Sequence, residues 1–286
     1  MPKFYVKKTI AINAPLEKVH AAVRDFRQWP AWSPWLISEP DCTLKYAEDG
    51  RSYSWDGEIV GSGETVIIGE NAPTSIDYRI VFRKPWKSVA SVRFEMAERD
   101  GYVQTTWSME SSIPIFIFFM KNRMAAWIGG DYQRGIEMLK DYVETGSVPS
   151  KLEFIGRQAF SGFHYVGLKA NCSSDHIGER MCESVNKVKD WLKQNNVPAT
   201  GDAFPIYHKF DKLKKITIFT VDFPVQSVPG NIPADLLSGE IPNGKVYSVK
   251  HTGPYRHLGN PWSACMAHAR SEEHTSELQS LAYLVC

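Results

Sequence analysis

The sequence predicts an α+β protein: a curved antiparallel sheet wrapped on one long helix, then a second α+β domain that begins with a β-α-β-β unit. Three observations carry this reading. An alternating N-terminal segment runs into a short helical repeat; strand-like pieces separated by Asp-Gly and other glycine turns fill residues 43–109; and a long amphipathic pattern follows, ending at Gly146-Ser147-Val148-Pro149-Ser150, the natural linker.

Phe4, Val6, Ile10 and Ile12 alternate with Tyr5, Lys7, Thr9 and Ala11, the period of a strand with one buried face. Pro15 stands where a helix begins, and Leu16, Val19, Val23 and Phe26 follow at spacings of three and four until Trp29-Pro30 stops the pattern. Asp49-Gly50, Asp56-Gly57, Gly61-Ser62-Gly63, Asn71-Ala72-Pro73 and Asp100-Gly101 read as the turns of an antiparallel meander. Met124, Ile128, Tyr132, Ile136, Leu139 and Val143 then recur at helical spacing with Glu and Lys on the other side.

From Lys151 the pattern changes. Residues 154–169 read as extended. Met181, Cys182, Val185, Val188 and Leu192 mark a helix that stops near Asn195-Asn196, and strands follow at 206–210 and 216–223. A Pro- and Gly-rich connection over 224–242 leads to a further extended piece, 244–251, and a short helical signal in Leu258, Trp262, Cys265 and Met266. This is the start of a second β-α-β-β copy, so the second domain reads as a duplicated unit whose second copy is incomplete.

The break falls where the chain changes character. Arg270 to Ser280 resembles the translation of a common sequencing-library adapter, and Leu284-Val285-Cys286 continues it after a short variable stretch. Residues 270–286 therefore read as foreign to the native fold, with the native continuation beyond Ala269 unknown. The domains expected are 1–146 and 151–269.

Composition narrows the function classes. A chain of 286 residues suits two ordinary domains, and 43% apolar with 23% charged residues is the balance of a globular protein. Thirty-three basic against thirty-two acidic residues leave a net charge of +1, so no global field favours nucleic acid or an anionic membrane. Lys212, Lys214 and Lys215 form a short basic run with no helix-turn-helix beside it. The five cysteines have no CxxC pairing and read as reduced thiols, pointing to the cytoplasm. No secretory signal is visible, and the longest apolar run, Ile113 to Met120, is too short to span a bilayer. Spacings for a metal site, a nucleophile elbow or a phosphate loop are absent, so no cofactor or metal is expected.

Ile12-Asn13-Ala14-Pro15, the cluster Trp29-Pro30-Ala31-Trp32-Ser33-Pro34-Trp35, the strand around Trp55-Asp56-Gly57, and Asp131-Tyr132-Gln133-Arg134-Gly135 resemble, in that order, the START-like, polyketide-cyclase-like (SRPBCC) superfamily over roughly residues 1–145. That resemblance implies a helix-grip fold whose long C-terminal helix lies across the mouth of the curved sheet, over an apolar cavity for a hydrophobic ligand. Gly244-Lys245-Val246-Tyr247-Ser248-Val249, His251-Thr252-Gly253-Pro254-Tyr255, Leu258 and Trp262 resemble the GyrI-like small-molecule-binding domain, also the effector-binding half of AraC-type and MerR-type regulators. That family brings a buried glutamate to its pocket on later strands, and no residue here matches it.

Aromatic rings offer apolar area and a negative face to flat or cationic guests. In the second domain the candidates are Tyr207, Tyr247, Tyr255 and Trp262; Tyr255 and Trp262 share a helical face only if one helix includes both, against which Pro261 stands. In the first they are Trp55, Tyr78, Phe94 and Trp107, on strands whose inward face a one-residue slip would reverse. Plain packing is the alternative for each. Trp29, Trp32 and Trp35 read as a cap on the first helix. His251, between a strand and a Gly-Pro turn, is either a proton carrier or hydrogen-bonded structure. Catalytic residues stay unassigned. The function expected is binding of a hydrophobic or aromatic cationic small molecule, for sensing or sequestration, with a link to transcription through another protein that contacts DNA; a protein partner or homo-oligomer is expected, and direct nucleic-acid or membrane binding is not. An enzyme of the cyclase or hydrolase class is the alternative.

Overall fold

The computed structural model describes residues 2–113 and 115–273. These fall into two compact units, one comprising 2–154 with 249–273, the other 155–248. The expected adapter-derived segment 270–286 lies outside the described residues from His274 onward.

In the first unit, β1 (Lys3–Ile12) leads into α1 (Leu16–Arg24), which buries Val19, Ala22 and Val23. The helix stops earlier than its apolar spacing predicts. Asp25 adopts an extended conformation and its carboxylate accepts from Arg27 N, starting a separate 3-10 turn, Phe26–Ala31, that contains Trp29 and Pro30. A second 3-10 turn, Leu36–Ser38, follows. The meander then runs through β2 (Thr43–Tyr46), β3 (Ser52–Asp56), β4 (Ser62–Asn71), β5 (Ser75–Lys84), β6 (Ser88–Arg99) and β7 (Tyr102–Ser112). With β1 added beside β7 they form one seven-stranded antiparallel sheet, ordered β1-β7-β6-β5-β4-β3-β2.

Gly61-Ser62-Gly63 is only partly the turn that its composition predicts. Gly61, at φ +67°, ends the turn, whereas Ser62 and Gly63 already belong to β4. Gly63 is there for space: it pairs with Trp55, and a Cβ on it would stand 2.4 Å from the Trp55 ring.

α2 (Lys121–Thr145) buries Tyr132, Gly135, Ile136, Met138, Leu139 and Val143, and ends at Gly146, whose left-handed φ of +87° lets its N–H bond Tyr142 O at 2.8 Å. Two contacts hold its C-terminal half to the end of β1. Lys140 Nζ donates to Ala11 O at 2.7 Å, and Asn13 N donates to Glu144 Oε1 at 2.6 Å. Sheet and helix thus enclose one hydrophobic core, the helix-grip arrangement.

β8 (Lys151–Phe160) comes next, and the second unit continues with β9 (Phe163–Ser173), α3 (Ile177–Gln194), β10 (Phe204–Asp211) and β11 (Ile216–Val225). β12 (Leu237–Ile241) lies inside the Pro- and Gly-rich stretch that reads as a connection. The sheet order is β10-β11-β9-β12, and α3 covers one face with Val188 and Leu192 against Val166, Leu168, Phe223 and Val225. β13 (Gly244–Thr252) pairs with β8, and the division between the units crosses both strands. α4 (Gly259–Glu273) groups with the first unit, where Arg134 donates to Asn260 Oδ1 and Ser263 Oγ at 3.0 Å each and His268 Nε2 donates to Ser38 O at 2.8 Å.

Candidate functional site

The interior of the helix-grip unit is built from alternate residues of its central strands. Tyr78, Phe94 and Trp107, on β5, β6 and β7, are buried to 0%, 0% and 1% exposure, and Trp55 on β3 to 9%. All four point inward, which resolves the choice of face that sequence leaves open. Phe94 and Trp107 are direct cross-strand partners and stack at 4.9 Å between centroids. Trp107 stacks in turn on Tyr132 of α2 at 4.0 Å.

Trp32 and Trp35 each meet Trp107 edge-on at 5.8 Å, so they line the interior rather than cap α1. Tyr78 joins the cluster 6.1 Å from Phe94 and 5.7 Å from Trp29. Trp55 stands farther along, 5.8 Å from Tyr53 and 5.9 Å from Phe82, with its N–H 3.4 Å from Val60 O.

Burial pushes the hydroxyls of Tyr53, Tyr78 and Tyr132 far above the usual phenol range, so these groups stay neutral and act only as hydrogen-bonding groups. Tyr78 Oη donates to Val23 O at 2.8 Å, and the same carbonyl accepts from Trp29 Nε1 at 3.0 Å. Other polar atoms are not satisfied. Trp32 Nε1, Trp107 Nε1 and Thr105 Oγ1 are buried with no hydrogen-bond partner among the described residues, and Thr105 lies two residues before Trp107 on the same inner face of β7. Trp35, Val60, Ile80, Phe82, Met124 and Ile128 pack on the core and are only partly buried. On the opposite, outer face of the sheet a groove of about 420 Å³ is lined by Tyr5, Ile68, Asp77, Arg93 and Glu110 among others. Arg93 there bonds both Asp77 oxygens at 2.8 Å.

The remaining candidates are dispersed. Tyr207, on β10, packs against Phe219 at 5.9 Å in the apolar cluster that includes Met181 of α3, and Tyr247, on β13, is partly buried in the second unit. His251, Tyr255 and Trp262 belong to the first unit. Tyr255 is 74% exposed in a 3-10 turn ahead of α4, which starts only at Gly259, so no single helix carries both Tyr255 and Trp262. His251 Nε2 is 3.1 Å from Ser150 Oγ, which also accepts from Asn260 Nδ2 at 3.1 Å. Burial and the neighbouring His257 hold the His251 imidazole below its ordinary pKa. His257, 1% exposed, reaches Asp141 Oδ2 at 2.6 Å.

One buried acid escapes sequence reading. Asp222 on β11 is 0% exposed, and desolvation raises its carboxyl from the ordinary range to about 7, only partly offset by the hydrogen bond that Thr220 Oγ1 donates to it. Its other oxygen has no partner among the described residues and lies against Gly167, its cross-strand partner, where a Cβ would collide with it. Among the described residues no group of three or more His, Cys, Asp or Glu could hold a metal ion, and no helix is long and apolar enough to cross a membrane.

A curved antiparallel sheet gripping a long helix around an aromatic interior defines the helix-grip class. Residues 3–144 match the family described as polyketide cyclase / dehydrase and lipid transport, and form a polyketide-cyclase/SRPBCC-like domain. Similar solved structures include protein XoxI from Bacillus cereus, at 16% identity and a TM-score of 0.40, covering 49% of this chain and 94% of that one. Protein CV1439 from Chromobacterium violaceum is 17% identical with a TM-score of 0.38, covering 49% and 97%. The Aha1 dimer from Colwellia psychrerythraea is 15% identical with a TM-score of 0.36, covering 50% and 98%. No curated protein matches the chain.

Proposed function

We propose that the helix-grip unit binds a hydrophobic small molecule between its sheet and α2. The observation that carries this is the interior itself: rings of Trp32, Trp107, Phe94 and Tyr132 in contact, with the Trp32 and Trp107 N–H groups lacking an acceptor among the described residues. A buried donor left unpaired costs roughly 1–3 kcal/mol, and a guest with one acceptor atom would relieve that cost while apolar walls hold the rest. The family match over residues 3–144 supports the same ligand class.

On this reading residues 151–269 serve as a GyrI-like companion that takes aromatic or cationic guests, and the whole chain acts in sensing or sequestration in the cytoplasm, through a protein partner or a second copy. A thermal-shift screen of hydrophobic and aromatic cationic compounds tests the binding function. A binder of the native state raises the apparent Tm, and a panel without effect ends the reading.

A second reading, a hydrolase, is favoured by Ser150 and His251. With Asn260 donating to Ser150 Oγ, the serine hydroxyl is free to give its proton to the neutral imidazole, the polarity a nucleophile and base require. Covalent labelling of Ser150 by a fluorophosphonate, lost in His251→Ala, would establish it; an unlabelled serine removes it.

A further inference from the structure

We propose that the segment from Phe118 to Trp127 docks the protein on an anionic lipid surface. Phe118, Phe119 and Met120 are 61%, 70% and 37% exposed, a run of large apolar side chains, and Trp127, two turns farther along, is 48% exposed with the Arg270 guanidinium 5.2 Å over its ring. Isolated exposed apolar residues need no explanation, but a contiguous patch marks an interaction site. Its chemistry selects the partner. Lys121, Asn122 and Arg123 follow Met120 and are exposed, and residues 113–130 contain no Asp or Glu. Rings that enter a headgroup layer, with cations beside them at phosphate level, are the pattern of an interfacial anchor. The overall charge of +1 gives no reason to expect a membrane partner; this stretch carries two positive charges and no negative one.

The patch adjoins residues that reach the core. Met124, Ala125 and Ile128, on the same first turns of α2, pack against the core while remaining partly exposed. Docking here would set the first turns of α2 against the acyl layer. The inference goes beyond the binding function and does not depend on it, because surface association is measured without ligand.

The test is co-sedimentation of the ligand-free full chain with phosphatidylcholine vesicles, with and without phosphatidylglycerol, at low and high salt. Partition should rise with anionic lipid and fall with salt. Each basic residue contributes about fivefold near such a surface, so the double variant Lys121→Glu, Arg123→Glu should lower partition by about 25-fold or more. The double variant Phe118→Ser, Phe119→Ser should abolish it while leaving Tm unchanged, because the rings touch no core. Quenching by brominated lipid that disappears in Trp127→Phe would place the indole at the interface. No association with anionic vesicles, or association that neither double variant reduces, overturns the proposal. So does a concentration-dependent dimer that the Phe variant dissolves without any vesicle binding, since the patch would then be covered by a second copy.

Discussion

Gly135 of α2 lies so close to Trp107 of β7 that a Cβ added to it would stand 2.7 Å from Cζ3 of the indole and 3.0 Å from Cδ of Pro34. A glycine in mid-helix normally costs about 1 kcal/mol against alanine. Here the missing methyl is what lets the helix close on the ring. Gly135→Ala should therefore destabilise the protein by about 1–3 kcal/mol, the cost of overpacking, despite its better helix propensity. Urea unfolding measures it; a gain in stability would mean that Trp107 moves aside freely.

Trp107→Phe separates packing from polarity. The variant keeps a ring between Phe94 and Tyr132 and deletes a buried donor without a partner. We expect a loss below about 2 kcal/mol in the ligand-free protein, smaller than the 3–5 typical of truncating a core aromatic, together with a weaker thermal shift from any ligand whose acceptor meets that N–H. A loss above about 3 kcal/mol would mean that the indole N–H is satisfied in solution.

Much of this was legible in the chain because the elements bury one face each. The alternation from Phe4 to Ile12 and the helical spacing from Met124 to Val143 correspond to β1 and α2. What local periodicity does not carry is which distant rings meet. Trp32 and Trp35 read as a helix cap because their partner Trp107 lies more than seventy residues away. β12 is not legible because Leu237-Ser238-Gly239-Glu240-Ile241 is short and sits amid turn residues. Asp222 was hidden for a different reason. From Phe219 to Phe223 every residue of β11 is buried, so the usual inference from polar to solvent-facing fails there.

Glu39 holds the β3–β4 turn through its carboxylate, which accepts from Glu58 N at 2.7 Å, Ile59 N at 3.0 Å and Val60 N at 2.8 Å. Charge-assisted bonds of this kind are about twice as strong as neutral ones. Glu39→Ala should cost about 1–3 kcal/mol and speed hydrogen exchange at those three amides, with Glu39→Gln restoring part of the protection through its remaining carbonyl. Unchanged exchange at all three amides would mean that the turn is fixed by its own backbone.

Asp222 should make stability fall as pH rises. Its carboxyl is raised to about 7 in the folded protein by burial, against about 3.9 in an unfolded chain. Between those values the native state keeps a proton that the unfolded state has released. Unfolding free energy therefore declines by up to about 1.4 kcal/mol per pH unit through the window, about 4 kcal/mol in all, and levels off above the folded pKa. Asp222→Asn is neutral throughout and keeps the shape and the contact with Thr220. Measured by urea midpoint at several pH values, the variant minus wild-type stability should be smallest near pH 4 and grow more favourable to the variant up to about pH 7, other carboxylates cancelling in the difference. A difference that instead turns against the variant as pH rises would show that Asp222 is ionised in the fold and stabilised by a cation.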